Sequence, residues 1–160
     1  MLRILTAAIL LALSALSPAV AGGNPKAPWG HASLKKVHYS GEKVVFDVRT
    51  GNLKRMRSVL DRASYLSQLN GANPLDTSII LVLHGHSIHF FAIEHYPEYK
   101  KLMTRAQSLT VGGIIQFRMC KLAAASQGYD PEDIHGFVTM VPMAEAEIIR
   151  LEQKGYAYMR

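Results

Sequence analysis

Residues 78–84 read "SIILVLH", and this stretch decides the architecture. Its aliphatic side chains follow one another without a break and leave no polar face for water. A strand with one wet face alternates apolar and polar residues, whereas a strand covered on both faces reads as a continuous apolar run. The segment is therefore expected at the centre of a parallel sheet, with helices above and below it.

The flanking patterns agree. Upstream, "KVVFDV" (43–48) is a short β-branched strand followed by a Thr50-Gly51-Asn52 break. Between the two strands, Leu53, Met56, Val59, Leu60, Ala63, Leu66 and Leu69 fall at helical spacing, and Asn70-Gly71 closes the helix. Downstream, Pro97 opens a helix whose inner face is Tyr99, Leu102, Met103, Ala106 and Leu109. "IIQFRM" (114–119) is a third strand, "KLAAASQ" a short helix ended by Gly128, and Asp130–Asp133 a capped turn. "GFVTMV" (136–141) is a fourth strand, Pro142 starts a helix that stops at Lys154-Gly155, and "YAYM" (156–159) is a last short strand. Alternation of this kind predicts a single three-layer α/β domain, with a mostly parallel sheet of about five strands flanked by helices.

The chain of 160 residues begins differently. Arg3, the apolar run "ILTAAILLALSAL" and the small residues Ala19 and Ala21 form a secretory signal peptide over residues 1–21. That run is short for a membrane span, so no membrane insertion is expected after cleavage, and the mature protein is expected to be periplasmic or secreted. Residues 22–42, rich in Gly, Pro and polar side chains, read as an extended arm, and residues 43–160 as the α/β domain. The formal net charge is +6, but the basic residues lie scattered in "LKK", "LKRMR" and "YKKLMTR". Solvated helix faces explain them, and no nucleic-acid-binding motif accompanies them.

Chemistry concentrates at two strand ends. Cys120, the sole cysteine, follows the third strand and opens the next helix. A helix N-terminus offers unpaired amides and a positive dipole end, and Arg118 and Lys121 add charge nearby. All of these favour thiolate, the reactive form. A free cysteine is equally at home as a buried apolar residue, and position alone leaves both readings open. At the second strand end stand His84, His86 and His89. His84 and His86 would share one face of a strand, and His86 and His89 one face of a helix. The three could bind copper or zinc, or His84 and His86 could orient a substrate beside Cys120. In parallel sheets both strand ends share the carboxyl edge, where ligands bind.

Taken in order, "KVVFDV", the long first helix, "IILVLHG", "IIQFRMC", "GFVTMV" and the closing "AEIIRLEQKGYAYMR" resemble the DsrE/DsrF-like family, from about Lys43 to Arg160. The resemblance implies a parallel α/β fold and assembly as a trimer or hexamer. In the family's sulfur-relay members, the cysteine at this strand end carries sulfur as a persulfide, and Cys120 is the matching position. Those members are cytoplasmic, so their relay partners do not transfer to a chain with an export signal. The expected function is a sulfur carrier fed by small sulfur compounds or a persulfide donor. It would need no cofactor, with His84, His86, Arg118 and Lys121 as donor-binding groups. The alternatives are a copper- or zinc-binding protein built on His84, His86 and His89, and a non-catalytic oligomer.

Overall fold

The computed structural model describes residues 28–69 and 71–160. The expected signal segment and the first residues of the arm lie outside the described residues. Two units are distinguished. The described part of the first, residues 28–37, holds a turn and no regular element, whereas the second, His38–Arg160, carries every strand and helix found among the described residues. No helix among the described residues is long and apolar enough to cross a membrane.

Five strands form one sheet: β1 (Lys43–Val48), β2 (Ser78–Leu83), β3 (Ile115–Cys120), β4 (Val138–Val141) and β5 (Ala157–Met159). Their order is β4-β3-β2-β1-β5, and each neighbouring pair is parallel. The apolar run of residues 79–83 occupies the central strand, where each side chain is 0 % exposed. Continuous apolarity thus marked a strand covered on both faces.

Four α-helices connect them: α1 (Leu53–Leu69), α2 (Tyr96–Thr110), α3 (Lys121–Ala125) and α4 (Ala144–Glu152). At the start of α1, Asn52 accepts the Arg55 amide through Oδ1 at 3.0 Å, an N-cap that satisfies one otherwise unpaired donor. Met56, Leu60 and Ala63 recur every three or four residues and form its buried stripe. The helix ends where Gly71 takes φ +71°, a left-handed conformation open to glycine at little cost.

From β1 to β4 the chain steps in one direction across the sheet, and then it returns past β1 to lay β5 on the far edge. Right-handed crossovers put the helices of the outward steps on one face and the helix of the return step on the other. The packing follows this rule. Residues of α1, α2 and α3 join Phe46, Leu81 and Phe117 in the larger core. On the opposite face, Ala144, Ile148 and Leu151 of α4 pack with Val45, Ile80, Val82 and Cys120. Between β3 and β4 the chain therefore leaves the carboxyl edge toward opposite faces, which opens a topological switch point at Cys120.

One stretch was not legible as a regular element. After β2 the chain forms 3₁₀ helices over Gly85–Phe91 and Ile93–His95. Ile88, Phe90, Phe91 and Ala92 enter the larger core from this segment without helical or strand periodicity.

Candidate functional site

Cys120 ends β3 and is the N-cap of α3, with φ −66° and ψ 111°. Its Sγ accepts a hydrogen bond from the Ala123 amide at 3.3 Å. The residue is only 3 % exposed. The elements around it are the end of β4, paired in register at Val141, and the start of α4 at Ala144. The Leu122 amide donates to the Pro142 carbonyl at 3.3 Å and ties α3 to the β4–α4 turn beside the thiol. α3 spans five residues, so the field of its dipole is small, and the Ala123 amide is the hydrogen-bond donor that the sulfur meets.

The expected cationic groups divide. Arg118 lies two residues before Cys120 and so shares its face of β3. Its guanidinium is engaged by Glu147 of α4 and, at 3.0 Å, by Gln116. Arg150 hydrogen-bonds the same Glu147 carboxylate at 2.6 and 2.8 Å. The Arg150 hydrogen bonds hold the Glu147 carboxyl below the usual range; burial works against them, and Arg118 adds to the lowering. The Arg118 charge is thus compensated within the α4 contact. Lys121 is exposed in the first turn of α3.

His84 follows β2 and continues its ladder, its amide donating to the Val48 carbonyl at 3.0 Å. Its Nε2 lies 2.6 Å from Asp47 Oδ1, and the hydroxyl of Tyr158 donates to Asp47 Oδ2 at 2.6 Å. Arg49 approaches the same carboxylate at 3.7 Å. Burial raises the Asp47 carboxyl, but hydrogen bonds from Tyr158 and His84 and the charges of His84 and Arg49 outweigh it and leave the group below its ordinary value. The last paired residues of β2 and β3 are Leu83 and Met119, so His84 and Cys120 are the next positions on strands about 4.8 Å apart. Both face the α4 side. Sγ takes its hydrogen bond from Ala123 rather than from His84. The His84 imidazole is turned toward Asp47 on β1, on the side of β2 away from β3.

The histidine cluster does not assemble as the spacing suggested. The strand ends at Leu83, so His84 and His86 share no strand face. His86 is exposed on the 3₁₀ helix, beside Gly51, where a Cβ would come within 2.9 Å of the His86 Cβ. His89 turns away from both, and its Nε2 meets the Tyr99 hydroxyl at 3.2 Å. Among the described residues, the set brought within metal reach is instead His89, His95 and Glu98. His95 and Glu98 carried no sequence signal, since each belongs to a segment of different geometry. Asp47 and Tyr158 were also missed, although a charge inside the apolar run of β1 was a readable sign of a paired buried group.

A cleft of about 590 Å³ opens at the carboxyl end of β1, lined by Asp47, Asn52 and the basic side chains Arg49, Arg55, Arg62 and Arg160, among others. Its balance of charge favours anions.

No protein-family model and no curated protein matches this sequence. Among solved structures, the chain is similar to MTH1491, a protein of unknown function from Methanobacterium thermoautotrophicum, with a TM-score of 0.56 and 20 % identity. The similarity covers 74 % of this chain and 98 % of that one. At this identity the likeness establishes the fold, an α/β domain with an all-parallel five-stranded sheet.

Proposed function

We propose that this chain is an exported sulfur carrier that holds sulfane sulfur as a persulfide on Cys120, as its resemblance to the DsrE/DsrF-like family implies. The observation that carries the reading is the position of the sole thiol. It caps α3 at the switch point and accepts the Ala123 amide, one position beyond the last paired residues of β2 and β3, where His84, held by Asp47, ends the neighbouring strand. The thiolate attacks the outer sulfur of thiosulfate or a polysulfide. The donor S–S bond breaks, its electron pair leaves with sulfite or the shortened polysulfide, and the new S–S bond leaves Cys120 as a persulfide anion. An acceptor thiolate then removes the sulfur by the same exchange and regenerates Cys120. With no second cysteine in the chain, the persulfide cannot be lost to an internal disulfide.

Within this reading His84 orients the donor, and the exposed Lys121 and His86 meet its negative charge. Arg118, committed to Glu147, takes no part in binding the donor.

The test is intact-mass spectrometry of the folded mature chain after incubation with polysulfide or thiosulfate, beside Cys120→Ser. The expected result is a gain of one or more sulfur masses, reversed by a reductant and absent from the variant. Native spectra of the same sample are expected to give three or six subunits. A thiol that gains no sulfur, and resists alkylation until the protein is unfolded, would rule out the carrier and identify Cys120 as a buried core residue.

A further inference from the structure

On the face of the sheet away from Cys120, the geometry points to a second site: we propose that His89, His95 and Glu98 bind one divalent transition-metal ion of the zinc class. One ligand atom from each residue lies within 4.8 Å of those of the other two. His89 comes from the 3₁₀ helix after β2, His95 from the short 3₁₀ turn that follows, and Glu98 from the first turn of α2. The irregular segment that contributes Phe90 and Phe91 to the larger core thus folds three ligands together at the start of α2.

Two imidazoles and one carboxylate form the donor set of open zinc sites, in which a water or substrate takes the fourth position. Nitrogen donors of this type select zinc, copper or nickel over calcium and magnesium, which prefer oxygen ligands. Bond lengths of about 2.0–2.1 Å to the ion place tetrahedral ligand atoms about 3.3 Å apart. The three groups must therefore draw in from their present separation. Glu98 is exposed, so rotation of its side chain can supply much of that approach.

The outer contacts are an independent observation. His89 Nε2 lies 3.2 Å from the Tyr99 hydroxyl. His95 Nε2 lies 3.1 Å from the Tyr129 hydroxyl and 3.2 Å from a Glu94 carboxylate oxygen. The Tyr99 hydroxyl also meets the Glu98 carboxylate, so it ties two of the three proposed ligands together, while Tyr129 and Glu94 hold the His95 ring. A carboxylate and a hydroxyl on the His95 ring are the kind of partner that orients a metal-binding histidine. The two rings are in tilted contact, with centroids 3.9 Å apart, and they must open to about 5 Å for both to bind one tetrahedral ion. His84 and His86, the other histidines of the same stretch, take no part.

The experiment is calorimetric titration of the mature chain with Zn²⁺ alone. A parallel titration with Co²⁺ follows the visible ligand-field bands, and Tm is measured with and without zinc. One ion per chain is expected, with a zinc-dependent rise in Tm. His95→Gln and Glu98→Gln are each expected to weaken binding by more than about 100-fold, beyond the loss caused by removing an outer partner. Tyr99→Phe is expected to weaken it by about 10- to 100-fold. His86→Gln should bind as the parent does. Glu98→Gln changes an exposed side chain, so an unaltered metal-free unfolding midpoint keeps loss of the site distinct from loss of the fold. Failure of the parent to bind zinc, or binding that survives both His95→Gln and Glu98→Gln, overturns the proposal. Binding abolished by His86→Gln instead also overturns it.

Discussion

At the residue scale, Asp47 shows how much a single buried charge can organise. Its side chain is 7 % exposed and accepts hydrogen bonds from His84 and Tyr158, residues 37 and 111 positions away in sequence. That Asp47 needed partners was readable from its place in "KVVFDV", because an unpaired carboxylate among buried valines is costly. Which partners it has was not readable, since they arrive only when β2 and β5 pair on either side of β1. The lowered pKa has a definite consequence for stability. A carboxyl whose folded pKa lies below its unfolded value contributes stability above the ordinary carboxylate pKa of about 3.9, and that contribution is lost as pH falls through the folded value. Asp47→Asn is therefore expected to cost about 2 kcal/mol at pH 7, the scale of hydrogen bonds to a charged group. The gap between parent and variant should close as the pH is taken well below 4. Urea unfolding at several pH values checks this, and a gap that is constant with pH would show that the Asp47 charge is not what stabilises the fold.

At the scale of elements, β3 and α4 are joined by the Arg118–Glu147–Arg150 cluster. The two-residue spacing on β3 puts Arg118 and Cys120 on one face, which the sequence alone had not settled because Cys120 sits at the junction of strand and helix. Nor could the sequence show that Glu147 would lie over that face and claim the guanidinium. The strands and helices themselves were legible because their signals are local, a continuous apolar run in β2 and a period of three to four in α1. The 3₁₀ segment after β2 was not, because its buried Ile88, Phe90, Phe91 and Ala92 follow neither period, and short 3₁₀ turns have no stable apolar face of their own. The two ion pairs of the cluster are expected to behave differently. Glu147 is 8 % exposed at its side chain and Arg118 is 18 % exposed, whereas Arg150 is 45 % exposed. Glu147→Gln leaves the Arg118 charge partly buried and uncompensated, at an expected cost of about 2 kcal/mol. Arg150→Ala should leave the denaturation midpoint nearly unchanged, because an exposed pair is screened by water. If the two substitutions shift the midpoint equally, the Arg118 contact is not the one that fastens α4.

At the scale of the whole molecule, the direction of each crossover decides what protects the thiol. Three outward steps stack their helices over the larger core, and the single return step leaves α4 as the helix packed against Cys120. α4 is nine residues long and leads into a three-residue edge strand, whereas β2 is paired on both sides and covered on both faces. Local opening is drawn from elements with few buried contacts, so α4 and β5 should open well below the free energy of global unfolding, which limits exchange in β2. A thiol that is 3 % exposed beneath that helix becomes reachable when the helix lifts. Glu147→Gln weakens the fastening of α4, so it is expected to speed alkylation of Cys120 and amide exchange in α4 by a common factor. For a loss of about 2 kcal/mol that factor is roughly 30. Iodoacetamide labelling followed by mass, run beside hydrogen exchange on parent and variant, measures both rates. If exchange in α4 accelerates while alkylation does not, α4 is not the cover. The sulfur is then approached along the carboxyl edge, past the exposed side chains of Leu122 and Met143, and a small anionic donor could load it without any helix moving.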